Sequence, residues 1–285
     1  MKLIVDSGST KTDWIALNPN NIIQFSTHTL GLNPQVLSDQ ILEERIINNY
    51  DLYRNRKKVD SIYFYGAGCG TKPPRDLLHK VLKIIFINAK ISVKEDTYAA
   101  TYSVTTPGVK SIVCILGTGS NCSYFNGFNL EQKVDSLGFI IMDDGSGNYF
   151  GKQILRDFYF NSMPIGLKKI LNQKYNLSSE VIKTNIYKKS NPNTYLATFA
   201  KFLIENKSNQ YCKDLIKKGL CLFIKNQILQ FDNANKIPIH FVGSISYYLK
   251  DELEDCLKLY NLSIGNVLRK PIDGLVNYHK LNNSN

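Results

Sequence analysis

The sequence predicts an α/β protein built from two domains of related architecture. Three observations carry this. The chain opens on an apolar strand, a Gly/Ser/Thr turn and a second strand (KLIVDSGSTKTDWIAL, residues 2–17). The same pattern returns in SIVCILGTGSNCSYF (residues 111–125). Apolar strands alternate with segments of helical spacing around these hairpins, the pattern of sheets flanked by helices. The echo implies that each domain offers a hairpin turn to a shared cleft.

In chain order, KLIVD reads as a short buried strand, SGST as a turn and TDWIAL as a second strand. Residues 18–21 form another turn before IIQFSTH, so the first three strands form an antiparallel meander. After the loop TLGLNP, one helix is expected from about Ser38 to Arg56. Its Leu42, Ile46, Tyr50 and Tyr53 fall at helical spacing, and Ser38 is the cap. SIYFYGAG is a strand ending in glycines, residues 75–88 read as a helix, and ISVKED is a strand with two acids at its end. The small-residue helix TYAATYSV comes before the second hairpin. After DDGSG the pattern is helical from about Tyr149 to Asp232, with breaks near Pro164 and Pro192. IPIHFVGSIS adds a strand and turn, SYYLKDELEDCLKLY a helix, and NLSIGNVLRKPIDGLVNYHK a final strand and helix. The boundary is expected at Pro107–Gly108, giving domains 1–107 and 108–285, with the last helix allowed to pack back on the first.

A chain of 285 residues can bury one large core or two ordinary ones, and 43% hydrophobic and 11% aromatic content supply the material. No apolar run approaches the roughly 20 residues that span a bilayer. Asp6 interrupts the N-terminus before a signal-peptide stretch can form, so a cytoplasmic protein without a membrane partner is expected. The six cysteines form no C-x-x-C pair and have no His-rich partner segment, which argues for buried thiols over a zinc or iron–sulfur site. The four histidines are scattered and suggest no triad. The net charge of +11 is spread among Asn- and Ile-rich segments. Only Arg54, Arg56, Lys57 and Lys58 cluster tightly, at a helix end where cations suit the dipole, so solvated surface is expected and no nucleic-acid partner.

Three strand–turn elements carry the chemistry: DSGSTKT (6–12), LGTGSN (116–121) and VGSIS (242–246). Glycine lets the backbone approach a bulky anion, and successive amides in such turns cradle phosphate oxygens. The hydroxyls of Ser9, Thr10, Thr118 and Ser120 add short donors. None of the three is a G-x-x-x-x-G-K-[ST] P-loop or a G-x-G-x-x-G fingerprint opening a helix. Carboxylates stand at strand ends: Asp6, the pair Glu95–Asp96, and Asp143–Asp144 before GSG. Phosphoryl transfer needs a metal to neutralise phosphates and a carboxylate to orient the attacking hydroxyl and take its proton. Each acid taken alone is also an ordinary cap or turn former, the reading favoured for Glu95 and Asp144.

These residues together resemble the actin-like ATPase superfamily, in the branch of N-acetylglucosamine kinases that also holds benzoyl-CoA reductase-type ATPase subunits. DSGSTKT and LGTGSN are similar to its two phosphate motifs, VGSIS to its adenosine turn, and GLNP (31–34) to the loop that lends an Asn to the sugar. The Asp143–Asp144–GSG segment resembles G-D-E-G-S, with Met142 in place of the Gly and Asp144 in place of the Glu. The resemblance runs in order through nearly the whole chain. It implies two actin-like (ribonuclease H-like) α/β domains with a nucleotide and sugar cleft between them, and an ATP-dependent kinase of amino-sugar metabolism acting on an amino sugar, N-acetylglucosamine first, at its 6-hydroxyl. It implies Asp96 as the base and Asn33, Asp96, Ser120, Asn121, Gly138 and Asp143 at the sugar. Gly8, Ser9, Thr10, Lys11, Gly117, Thr118 and Gly119 would meet the phosphates of ATP, Gly243 and Ser244 the adenosine, and Asp6 would hold Mg²⁺. The departures at Met142 and Asp144 bear on the choice of sugar more than on phosphoryl transfer, and a homodimer is left open. Two other readings follow from the same cleft. One is an ATPase activator of an electron-transfer partner, in which Cys69 of the GAGCG loop pairs with its symmetry mate around an iron–sulfur cluster. The other is a sensor that binds sugar or nucleotide without turnover.

Overall fold

A computed structural model of the chain describes residues 1–8, 11–106 and 108–281. Ser9 and Thr10 of the first turn, and Pro107 at the expected boundary, lie outside the described residues. The chain divides into two compact units, Met1–Ser103 together with the segment from Lys270 onward, and Val104–Arg269.

The first unit is built on a mixed sheet of five strands in the order β3-β2-β1-β4-β5. These are β1 (Lys2–Ser7), β2 (Lys11–Leu17), β3 (Ile23–Leu30), β4 (Ser61–Gly66) and β5 (Lys90–Glu95). β1, β2 and β3 form the expected antiparallel meander, and β4 and β5 continue parallel to β1. Central β1 is buried along almost its whole length, as a strand covered on both faces must be. Edge strand β3 is largely exposed. Trp14 on β2 is fully buried against Phe64 (ring centroids 6.3 Å apart) and Phe86, and its indole N–H is satisfied by Thr29 Oγ1 at 3.1 Å.

The helix expected over 38–56 is two helices, α1 (Asp39–Ile47) and α2 (Tyr50–Asn55). Ser38 caps the first as expected. The break falls at Asn48–Asn49, where the Asn49 carboxamide accepts the Leu52 N–H (3.1 Å) and donates to His28 O (3.1 Å). A local side-chain bond of this kind competes with helix continuation, which helical spacing alone does not register. The helix expected over 75–88 is α3 (Lys72–Ile85). It starts three residues earlier because Pro73 and Pro74 sit in the first turn, where a missing N–H leaves no bond unmade. α4 (Asp96–Val104) follows β5 without a loop.

The second unit repeats the plan. β6 (Ser111–Leu116), β7 (Ser120–Phe125), β8 (Leu130–Glu131), β9 (Ile239–Val242) and β10 (Ile264–Leu268) are ordered β10-β9-β6-β7-β8. The hairpin-bearing strand is again central, with antiparallel neighbours on one side and two parallel strands on the other. The two-residue β8 was not legible from the sequence. The stretch from Tyr149 to Asp232 forms α5 (Gly147–Tyr159), α6 (Ile165–Lys174), α7 (Ser179–Tyr187), α8 (Pro192–Thr198), α9 (Ala200–Glu205) and α10 (Gln210–Asn226). Beyond the two proline breaks, Ser178 and Asn209 cap fresh helices through side-chain acceptors. α5 and α8 meet at Gly151, where an added Cβ would lie 1.8 Å from Leu196 O. A core of fully buried Phe150, Phe202, Phe223 and Phe241 joins these helices to the sheet. α11 (Ser244–Tyr248) and α12 (Lys250–Lys258) follow β9, and α13 (Pro271–Leu281) returns to pack on β1 of the first unit. Among the described residues no helix is long and apolar enough to cross a membrane.

Candidate functional site

In the first unit the candidate side chains Asp6 and Asp96 stand at the C-terminal ends of the parallel strands β1 and β5, where α/β sheets hold ligands. The β1–β2 turn is closed by the Gly8 N–H donating to Lys11 O at 2.9 Å. Beneath it, the Ser7 and Thr12 hydroxyls meet at 2.7 Å, and the Leu32 N–H donates to Ser7 Oγ at 3.2 Å. This last bond ties the GLNP loop to the hairpin base. Asn33 Oδ1 accepts the Gln35 N–H (2.9 Å) and lies over Gly68, where a Cβ would sit 2.0 Å from it. Gly68 has φ +81°, a conformation that side chains with a Cβ rarely adopt. Lys11 is paired with Asp13 on its own strand at 2.6 Å.

Asp96 begins α4 directly after β5, so the strand end and the helix N-terminus meet at this residue. Burial and the neighbouring Glu95 push its carboxyl up to about 6, against the opposing effect of its bonds from the Thr97 and Asp96 amides. Glu95 is held in place: Thr97 Oγ1 donates to its Oε2 at 3.3 Å, and Gly70 lies close beneath its Oε1. Asp6 is pushed up to about 7 by burial first and then by Asp96, Asp13 and Asp273, with Lys270 opposing. The carboxylates of Asp96, Asp13 and Asp273 around Asp6 outweigh the opposing Lys270, and such an excess of negative charge suits a hard divalent cation. Mg²⁺ commonly takes one or two carboxylates and completes its shell with water and phosphate oxygens, so a single carboxylate such as Asp6 fits it. Among the described residues no group of three or more His, Cys, Asp or Glu forms a ready cage.

Cys69 agrees with the expectation of buried thiols and not with the alternative reading that made it a cluster ligand. It is fully buried, and burial together with Asp96 and Glu95 pushes its thiol up to about 12. An enclosed thiol in that state is not presented to a symmetry mate.

The second unit brings LGTGSN, the Asp143 segment and VGSIS together. The Gly117 N–H donates to Gly119 O at 3.0 Å across the β6–β7 turn. The turn's outward carbonyls are both taken by α5: the Gly147 N–H donates to Gly117 O (2.8 Å) and the Asn148 N–H to Thr118 O (3.0 Å). The Tyr149 N–H finds Ser146 Oγ at 3.2 Å, so three amides that a helix start leaves open are satisfied. With its carbonyls committed, the turn retains the amides of Thr118 and Gly119, which have no protein acceptor among the described residues. The positive end of a 13-residue helix stands behind them.

Asp143 braces this turn. It is buried with φ +68°; its Oδ1 accepts the Ser120 N–H at 3.2 Å and its Oδ2 accepts Asn148 Nδ2 at 2.7 Å. Asn121 Oδ1 accepts Ser123 Oγ (3.2 Å) and Gln132 Nε2 (3.1 Å). Gly138 (φ +80°) is in the loop before Asp143, with its carbonyl accepting the Met142 N–H at 2.9 Å. Met142 turns back onto the same loop, its Sδ accepting the Leu137 N–H at 3.4 Å, and Asp144 accepts Asn226 Nδ2 at 2.9 Å. VGSIS is a strand–helix junction: Gly243 (φ +129°) donates to Leu268 O at 2.9 Å, and Ser244 starts α11. A Cβ on Gly243 would lie 2.3 Å from Leu116 O, so this junction abuts the LGTGSN turn.

Sequence reasoning missed Asn148, Lys270 and Asp273. Lys270 and Asp273 act on Asp6 only because α13 returns to the first sheet, and no local pattern announces that. Asn148 follows GSG in the first turn of α5, where an amide side chain ordinarily reads as neutral.

No protein-family model matches the sequence, and no curated protein matches it. Solved structures do. A structure named "Putative N-acetylglucosamine Kinase" from Porphyromonas gingivalis is 30% identical, covers 99% of this chain and 100% of its own, and has a TM-score of 0.92. A second structure of that name, from Chromobacterium violaceum, is 12% identical over 97% of this chain and 98% of its own, with a TM-score of 0.68. A ROK family glucokinase from Streptomyces griseus, in complex with glucose and AMPPNP, is 14% identical over 98% of each chain, with a TM-score of 0.56. The last two share the fold.

Proposed function

The chain belongs to the N-acetylglucosamine kinase-like branch of the sugar kinases in the actin-like ATPase superfamily, and from that premise we propose that it transfers the γ-phosphoryl group of ATP to the 6-hydroxyl of an amino sugar, N-acetylglucosamine first. The observation that carries the reading is the β6–β7 turn, whose carbonyls are committed to α5 while the Thr118 and Gly119 amides stay available to phosphate oxygens. The Porphyromonas gingivalis relative supports the choice of sugar.

In this mechanism Asp96 orients the 6-hydroxyl and takes its proton as the oxygen bonds to the γ-phosphorus. The bond from that phosphorus to the β–γ bridging oxygen breaks, and ADP leaves. Asp6 would hold Mg²⁺, whose charge offsets that of the phosphates. Asn33, Ser120, Asn121, Gly138 and Asp143 are assigned to the sugar, Gly243 and Ser244 to the adenosine. Gly8, Ser9, Thr10, Lys11, Gly117, Thr118 and Gly119 are assigned to the phosphates, with Lys11 leaving its Asp13 partner to reach them.

An ATP-coupled assay over amino sugars and plain hexoses tests the assignment. Turnover is expected with N-acetylglucosamine and weaker or none with glucose. Nucleotide and sugar binding without phosphorylation of any member of the panel would instead mark a sensor. Gly68→Ala is a second check. The new Cβ meets Asn33 at a left-handed backbone position, so KM for the sugar should rise roughly tenfold while KM for ATP holds. Equal effects on both constants would separate Asn33 from the sugar.

A further inference from the structure

Asn148 has no role in the scheme above, yet it is the residue through which the phosphate turn is joined to both its helix and its carboxylate. It is 1% exposed and sits in the first turn of α5. Its main-chain N–H donates to Thr118 O at 3.0 Å, and its side-chain Nδ2 donates to Asp143 Oδ2 at 2.7 Å. Asp143 Oδ1 in turn accepts the Ser120 N–H at 3.2 Å. The chain of contacts Thr118–Asn148–Asp143–Ser120 therefore encloses the two amides assigned to phosphate. The orientation of the carboxamide is fixed, because a flip would set Oδ1 against the Asp143 carboxylate. Its Oδ1 is buried without a partner among the described residues, so the side chain is kept for its donor.

Asp143 needs that donor. It holds a left-handed backbone conformation at φ +68°, which Asp tolerates better than most residues when its side chain is hydrogen-bonded. A Cβ on Gly119 would lie 2.8 Å from its Oδ2, so a swing of the carboxylate runs into the turn. We infer that Asn148 is a positioning residue for ATP: by holding the Asp143 carboxylate it fixes the Thr118 and Gly119 amides in the geometry that takes phosphate. The inference rests on the reading of this turn as the phosphate site.

Asn148→Ala and Asn148→Asp, measured in the full chain, test it. Asn148→Ala should raise the dissociation constant of a non-hydrolysable ATP analogue, measured without sugar, about tenfold; KM for the sugar should rise as well, because the carboxylate it frees, Asp143, is assigned to the sugar. Asn148→Asp should be as impaired at pH 8, where two carboxylates face each other. Its affinity for the ATP analogue should recover toward that of wild type at the same pH as the pH is lowered to about 6, because the new carboxyl, once protonated, can donate to Asp143 Oδ2. A merely structural role would move the melting temperature without raising the analogue's dissociation constant, and would give Asn148→Asp no recovery at lower pH. Where Asn148→Ala fails to fold, the pH series on Asn148→Asp decides between the two roles. An unchanged dissociation constant for the ATP analogue in a folded Asn148→Ala variant overturns the positioning role. Wild-type protein that binds no ATP analogue overturns the phosphate-site reading and this inference together. Normal wild-type binding with an unaffected Asn148→Ala overturns the inference alone.

Discussion

Replacing Asp96 with Asn is expected to lower kcat by roughly 10²–10⁴-fold, the range that a positioned general base contributes, while sugar binding stays within a few-fold of wild type. The substitution is chosen for what it keeps. Asp96 accepts the Thr97 amide at the start of α4, and an Asn oxygen can accept the same bond, so the strand–helix junction should survive. Only the capacity to take a proton is removed. The wild-type carboxyl, raised to about 6 by burial and by Glu95, is ionised at neutral pH yet basic enough to accept the hydroxyl proton. The sign of the pH dependence follows. The base must be ionised, so kcat should fall as the pH drops through about 6. Glu95→Gln removes one of the causes that raise Asp96 and should move this acid limb to lower pH. Calorimetric titration of the sugar, alongside kcat between about pH 5 and 8, separates binding from chemistry. Wild-type turnover in Asp96→Asn would remove Asp96 from the mechanism.

The parts of this site that could be read from the sequence are those written locally. An apolar strand followed by Gly, Ser and Thr can do little but turn, and the two hairpins at residues 2–17 and 111–125 stand where that pattern put them. Their repetition foreshadowed two sheets of one topology. Asp96 was legible as an acid at the end of the ISVKED strand, and the family resemblance, not the local pattern, singled it out as the base. What failed to show depends on contacts distant in sequence, or on side chains with two competing uses. Asn49 could have continued a helix, and instead it caps the start of α2, accepting the Leu52 N–H while donating to His28 O. Cys69 lay in a glycine loop that looked exposed, but Gly68 and Gly70 let Asn33 and Glu95 close over that loop. Lys270 and Asp273 bear on Asp6 only through the return of α13.

Asp6→Asn is expected to abolish turnover and yet raise the melting temperature of the ligand-free protein at pH 8 by a few degrees. Both halves come from one physical cause. Burial and the charges of Asp96, Asp13 and Asp273 raise the Asp6 carboxyl to about 7, far above its value in the unfolded chain. A carboxyl that holds its proton more tightly when folded favours the folded state at low pH. Its ionisation therefore costs stability progressively as the pH rises from about 4 to about 7, and the cost is complete above that window. Asn carries no charge and escapes it. Partial solvent screening leaves a gain on the order of 2 kcal/mol at pH 8, shrinking toward zero as the pH is lowered to about 4. The same charge is what makes Asp6 a partner for Mg²⁺. Magnesium with an ATP analogue should therefore raise the melting temperature of wild type more than that of Asp6→Asn. Melting curves at about pH 5 and pH 8, with and without Mg²⁺ and the analogue, read out all of this. If Asp6→Asn is less stable than wild type at pH 8, Asp6 serves the fold. If it is more stable and inactive, its negative charge is retained at a cost to stability because the reaction requires it.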